Sequence, residues 1–228
     1  MPSGNDSRMR ICNRVLQIIE EYQNSVDKCY KDACSNVAYQ QYARGGEFLH
    51  RGYYCPSLIA DIITGKANRG KIVKHIVASK DYTYKFSFDP MDNLILVEQT
   101  DVFEVVFHKG RYEIGITAFK EDMKIQSVSE CEYKDGQLFS YVLSLYDPYN
   151  ACVVEIVEEK YTYLNDQVKV IRSYFILSMG DWLKQSEEYT FTVENGYLTS
   201  YSLQEVDVSN SCKKKDARQF KVKTNRKI

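Results

Sequence analysis

Three two-residue turn signals, Asp135-Gly136, Asn165-Asp166 and Asn195-Gly196, stand thirty residues apart in this 228-residue chain. Asp-Gly and Asn-Gly between β-rich runs mark hairpins, because a type I′ turn needs positive φ at both central residues. Further turn clusters at 120–122, 147–150, 179–181 and 209–211 recur at about the same interval and mark the opposite ends of the ribbons. The strings flanking the turns are alike: QLFSY (137–141) resembles YLTSY (197–201), and KYTY (160–163) resembles EYTF (188–191). A hairpin of roughly thirty residues is therefore the repeating unit of a β-meander.

The same reading places strands near 82–88, 93–99, 102–108, 111–119, 123–134, 137–147, 151–164, 167–178, 182–194, 197–208 and 217–224. Ten or eleven long antiparallel strands twist, and a sheet of that size curls into a half-barrel or barrel-like wall to manage its edges. Nineteen tyrosines agree with this, since tyrosine favours half-buried pleated surfaces.

The first third has a different period. Ile11, Val15, Ile18, Ile19, Tyr22, Val26, Cys29, Tyr30, Ala33 and Val37 follow three-and-four spacing, which predicts a helix over 7–42 ending at Gly45-Gly46. The more polar stretch over 28–34 is the place for a break. A second helix is predicted from Pro56 to Gly65, and a third over 71–78. The expected fold class is α+β: helices of residues 1–80 packed on a large, curled, mostly antiparallel β-meander of residues 81–228, in one compact unit.

Apolar content of 44% and charged content of 27% are those of an ordinary soluble globular protein. The N-terminal residues carry Arg8, Arg10 and Arg14 and no apolar core, so no secretory signal is read there. No window offers the ~18 uncharged apolar residues of a membrane span. The seven cysteines are odd in number and contain no C-x-x-C pair, which disfavours a disulfide framework or a zinc site and suggests a cytoplasmic location.

Net charge is −1, but it is unevenly spread. Residues 1–80 hold 12 Lys/Arg against 7 Asp/Glu, residues 81–212 hold 10 against 23, and residues 213–228 hold 8 against 1. The meander thus carries −13 between two basic flanks. Part of that surplus can be met by the chain's own helices and tail; the remainder makes a surface that attracts a cationic partner. In the tail, the alternation of Phe220 and Val222 among lysines fits a last edge strand better than a nucleic-acid arm, which a −13 neighbour would oppose.

Chemistry-bearing motifs are weak. GKANRGKI (65–72) has the spacing of a phosphate-binding loop in Gly65, Gly70 and Lys71, but Ile72 stands where a magnesium-binding Ser or Thr belongs and no strand precedes it. His50 and Cys55 are close enough to imagine a base and a thiol nucleophile, although a thiol in a tyrosine-rich turn is more often structural. His75 reads as a helix-surface residue and His108 as one before a turn. Glu158-Glu159 and Glu187-Glu188 cannot form carboxylate dyads, because neighbours in a strand point to opposite faces. No catalytic, metal or cofactor residue is assigned.

The function expected is a non-catalytic binding module: an inhibitor or immunity-type protein that neutralises a basic partner through an acidic, tyrosine-rich sheet surface. The residues assigned to that surface are Glu155, Glu158, Glu159, Tyr161, Tyr163, Trp182, Glu187, Glu188, Tyr189 and Tyr201. The alternative is a carrier holding a small apolar ligand against the concave sheet, and the third is an enzyme using Cys55 or the 65–71 loop.

Overall fold

The computed structural model describes residues 4–47, 49–59, 69–74, 82–195, 197–206 and 218–221. The chain opens with α1 (Gly4–Tyr22), a 3₁₀ turn (Gln23–Ser25) and α2 (Val26–Ser35). Strand β1 (Tyr39–Arg44), a short 3₁₀ turn (Gly52–Tyr54) and β2 (Lys71–Ile72) follow. The meander then runs through β3 (Tyr84–Phe88), β4 (Leu94–Glu98), β5 (Val102–Lys109), β6 (Tyr112–Phe119) and β7 (Ile125–Lys134). It continues through β8 (Gln137–Asp147), β9 (Cys152–Leu164), β10 (Gln167–Ser178), β11 (Asp181–Glu194), β12 (Tyr197–Val206) and β13 (Arg218–Lys221).

The thirteen described strands form one antiparallel sheet, and from β3 to β13 each strand pairs with its neighbours in sequence. The sheet curls but does not close: its edges are β13 and the short β2. The three turn signals do set two-residue hairpins, since Lys134 pairs with Gln137, Leu164 with Gln167 and Glu194 with Tyr197. Asp135 and Gly136 both take positive φ, as type I′ requires, and Asn195 does so too. Met179-Gly180 makes the same kind of turn from a less obvious sequence, again with φ positive at both residues.

Along each strand alternate side chains go to opposite faces, and both faces are covered in part. On one face α1 and α2 follow one another across the strands. Ser7 bonds Glu158 of β9, Arg14 pairs with Glu130 of β7, Tyr22 packs on Phe107 of β5, and Tyr30 reaches Glu98 of β4. Their stripe of Val15, Ile18, Ile19, Val26 and Ala33 is buried against residues such as Phe103, Ile116, Val128, Ile156 and Phe175. Full burial of each large aliphatic side chain contributes about 1.5–3 kcal/mol, which fixes the helices to this face.

Four expectations for the first third need correction. The helix stops at Ser35 and Tyr39–Arg44 is a strand, hydrogen-bonded to β3 from Tyr39↔Phe88 to Ala43↔Tyr84. The aromatic pairing of Tyr39 on Phe88 shows why: these residues find partners on the sheet rather than along a helix. The interruption falls at Gln23–Ser25 and not at 28–34. Lys71–Ile72, predicted to open a helix, pairs with β1 instead. Pro56–Ile59 is not helical; the rest of the predicted second helix lies outside the described residues, as do the remainder of the third and His75. Residues from the first eighty thus add two strands to the meander. In the tail, Arg218–Lys221 is the edge strand expected, paired with Ser200–Leu203 of β12.

Candidate functional site

The second face is covered by a strap, residues 49–59, which has little secondary structure of its own. It is held by side chains that rise from the sheet. Tyr84 Oη lies 3.1 and 3.0 Å from the carbonyls of Gly46 and Leu49. Tyr161 Oη accepts from the backbone N–H of Leu58 at 3.3 Å, and Ser57 donates to Glu159 at 2.9 Å. Leu58 and Ile59 are buried in a second core with Tyr161, Val170, Tyr189 and Phe191.

The strap's deepest contact is charged. Arg51 has left-handed backbone (φ 58), followed by Gly52 (φ 48), and this turn drives its guanidinium into the sheet. There Nε and Nη2 donate to Glu104 at 2.9 and 2.8 Å, Nη2 also to Ser129 at 3.1 Å, and Nη1 to Glu113. His50 joins Glu104 at 3.1 Å through Nε2 and Tyr141 at 3.0 Å through Nδ1. The space for this cluster exists because β6 has Gly115 beneath it: a Cβ there would sit 1.7 Å from Glu104 Oε1.

Burial pushes the Glu104 carboxyl up, but Arg51 and His50 outweigh burial and hold it well below the usual carboxylate range. For a carboxyl with a lowered folded-state pKa, the stabilisation is fully present above the unfolded value near 4.5 and drains away as pH falls below it. Urea unfolding midpoints should therefore drop between pH 5 and acid in the native protein. In Glu104→Gln the midpoint, lower at neutral pH, should depend less on pH; parallel curves for the two would show that Glu104 does not carry the acid sensitivity. Glu159 is the opposite case. It is wholly buried, burial raises its pKa, and Arg172 at 3.4 Å, with Tyr161 and Ser57, offsets that only in part.

One line of the sheet runs under strap and cluster over its first half, where Val97, Glu104 and Ser127 are buried, and emerges bare over its second. In register, Val97, Glu104, Thr117 and Ser127 stand side by side on β4 to β7. The same row continues as Leu145, Glu155, Ile176 and Leu183 on β8 to β11. A cavity of about 310 Å³ lies over its first half, bounded by Leu49 and His50 of the strap and by Leu143. A depression of about 490 Å³ lies over its second half, with Tyr174, Lys184, Gln185 and Glu187 alongside. Leu145, Ile176 and Leu183 are 38%, 45% and 60% exposed, unusual for large aliphatics in register with one another.

Several acids of the meander are neutralised within the chain, while others, among them Glu121, Glu188 and Glu194 outside the groove, form no ion pair among the described residues. Glu98 pairs with Lys85, Glu130 with Arg14, Glu132 with Arg111 and Glu158 with Lys160. Glu155 and Glu187 form no ion pair among the described residues; Glu187 accepts hydrogen bonds from Tyr189 at 2.8 Å and Gln185 at 3.4 Å.

Of the ten residues assigned from sequence, Glu155 and Glu187 line the groove. Glu159, Tyr161 and Tyr189 lie on the same face but are buried, and Tyr163 and Tyr201 pack half-buried beside Phe191. Glu158, Glu188 and Trp182 belong to the other face by register, where Trp182 packs on the helical core with the Arg8 guanidinium 5.3 Å from its ring. Tyr174, Ile176, Leu183 and Leu145 were not singled out; the signal for them is apolar residues at the strand ends farthest from the turn that starts each hairpin. Arg51 and Gly115 were also missed, although an isolated glycine inside a strand is a mark of close approach.

The residues weighed for catalysis have structural surroundings. Cys55 is buried, both ring nitrogens of His50 are engaged, and His108 Nε2 lies 2.9 Å from the Leu94 carbonyl. Gly70 is positive in φ and packs against the backbone of Gly45, and Arg69 bonds the carbonyls of Cys55 and Ser57, so this end of the 65–72 stretch ties the strap. No group of three metal-ligating side chains occurs among the described residues, and no described helix is long and apolar enough to cross a membrane. Comparison with protein-family models, curated proteins and solved structures gives no match.

Proposed function

We propose that this chain is a non-catalytic binding protein that engages a basic protein partner through the strap-side groove, acting as an inhibitor or immunity-type protein does. The observation that carries this reading is the bare row from Leu145 to Leu183, which puts exposed aliphatic side chains beside Glu155 and Glu187, two carboxylates without an ion pair among the described residues. Apolar contact supplies affinity, and the surplus of acid over 81–212 speeds encounter with a cation. The described cysteines are all free, which fits a reducing, cytoplasmic setting.

The test is capture from the native cell with the wild type and with a Glu155→Lys/Glu187→Lys variant, at low and high salt, followed by identification of what is bound. A basic protein held by the wild type, released by salt, and held about tenfold or more weakly by the variant is expected. Glu121→Lys/Glu194→Lys, two exposed positions outside the groove, makes the same change in net charge. Equal loss in both variants, or none in either, would remove the groove from the reading.

The cavity under the strap supports a second reading, a carrier of a small apolar ligand held by Leu49, Val97, Leu143 and Leu145. Native mass spectrometry of protein from its own cell tests it, since a carrier retains a bound mass and a partner-binding protein does not.

A further inference from the structure

We infer that the groove's occupant is an amphipathic α-helix of the partner, with an apolar stripe and lysine or arginine beside it, lying across the strands. This rests on the reading of the groove as the partner surface and adds what kind of segment fills it.

The first argument is backbone satisfaction. Where the groove crosses them, β8 to β10 have ladder partners on both sides. Residues 181–185 of β11 have a partner on the β10 side only among the described residues, so an extended segment could pair there along β11 but not lie over Leu145 and Ile176. An extended segment can join a sheet only at an edge. Laid on the face, it would bury its own N–H and C=O groups against Leu145, Ile176 and Leu183 without partners. A helix satisfies its backbone internally and presents only side chains.

The second argument is the sheet's other face. There α1 and α2 already lie across strands of the sheet, from β9 past β7 to β5 and β4, so helices laid transversely pack on this wall. The length agrees as well. Leu145 to Leu183 spans three strand spacings, about 14 Å, which is roughly ten residues of helix.

The third is charge. Glu155 stands in the row between Leu145 and Ile176, and Glu187 stands two rows away on β11 opposite Arg172. A helix with apolar residues at i, i+3, i+4 and i+7 over the aliphatic row would set flanking cations against both carboxylates.

Two labelled synthetic peptides of about 18 residues, identical in leucine and lysine content, separate the possibilities: one has leucines at helical spacing, the other at every second position. Fluorescence anisotropy with the full-length protein should show the helical peptide binding at least about tenfold more tightly, with helical circular dichroism gained on mixing. Ile176→Asp/Leu183→Asp, at exposed positions and checked for an unchanged melting curve, should abolish that preference. If the alternating peptide binds as well as the helical one and both lose affinity in the aspartate variant, the helix is wrong while the groove stands. If neither binds, or binding ignores the variant, the groove itself is not a basic-partner site.

Discussion

Arg51→Met should lower the unfolding free energy by about 3–5 kcal/mol, the effect of stranding a buried charge when its partner is removed. Methionine fills much of the same channel, so the loss measures charge and hydrogen bonding more than volume. Glu104 and Glu113 would remain within the sheet, with only His50 and Ser129 left to the first. Against a total stability of roughly 5–15 kcal/mol this is about a fifth of the margin or more. For a chain of this length it corresponds to a fall in melting temperature of roughly 10 °C. Arg51→Lys keeps a charge but not the forked donor geometry and should fall between the two. A urea midpoint for Arg51→Met within error of the wild type would mean that the strap is held by its apolar and hydroxyl contacts alone.

Gly115→Ala should be as damaging for a single added methyl group. Its Cβ would lie 1.7 Å from Glu104 Oε1, 2.4 Å from Arg51 Nη2 and 2.4 Å from Ser129 Oγ. None of the three is a free end that can swing aside, because each is bonded to the others. Overpacking of a core costs about 1–3 kcal/mol, and displacing the ion cluster adds to it. The substitution acts by expelling Arg51, so its effect should shrink when Arg51 is already methionine. A double-mutant cycle reads that coupling, expected to be about 1–3 kcal/mol in size. Strictly additive losses would show that the alanine harms the strand locally and leaves the cluster in place.

The meander was legible because hairpin turns and two-residue alternation are local signals. Asp135-Gly136 states its own backbone geometry, and Val168 and Val170 state which way they face. The error over 36–42 has a physical cause: Tyr39, Tyr42 and Ala43 continue the helix's three-and-four spacing, only Tyr39 and Ala43 share a strand face, and the choice is made by Phe86, Phe88 and Tyr84, more than forty residues away. The groove was half legible. Glu155 and Glu187 stood out as acids in strands, but nothing near Tyr161 or Tyr189 announces that the strap will bury them, since its position depends on Arg51 meeting Gly115. Acidic residues such as Glu130 and Glu158 likewise read as open surface until α1 and Lys160 are in place.

The order of pairing in the sheet has a consequence for synthesis. Since every ribbon from β3 on joins the one made just before it, the wall can grow strand by strand as the chain leaves the ribosome, without waiting for distant sequence. The leading helices cannot settle so early. Their docking surface extends to Ile156 and Phe175, so these helices, made before the sheet, find their whole seat only once β10 has emerged, and until then their greasy side must wait in water or with a chaperone.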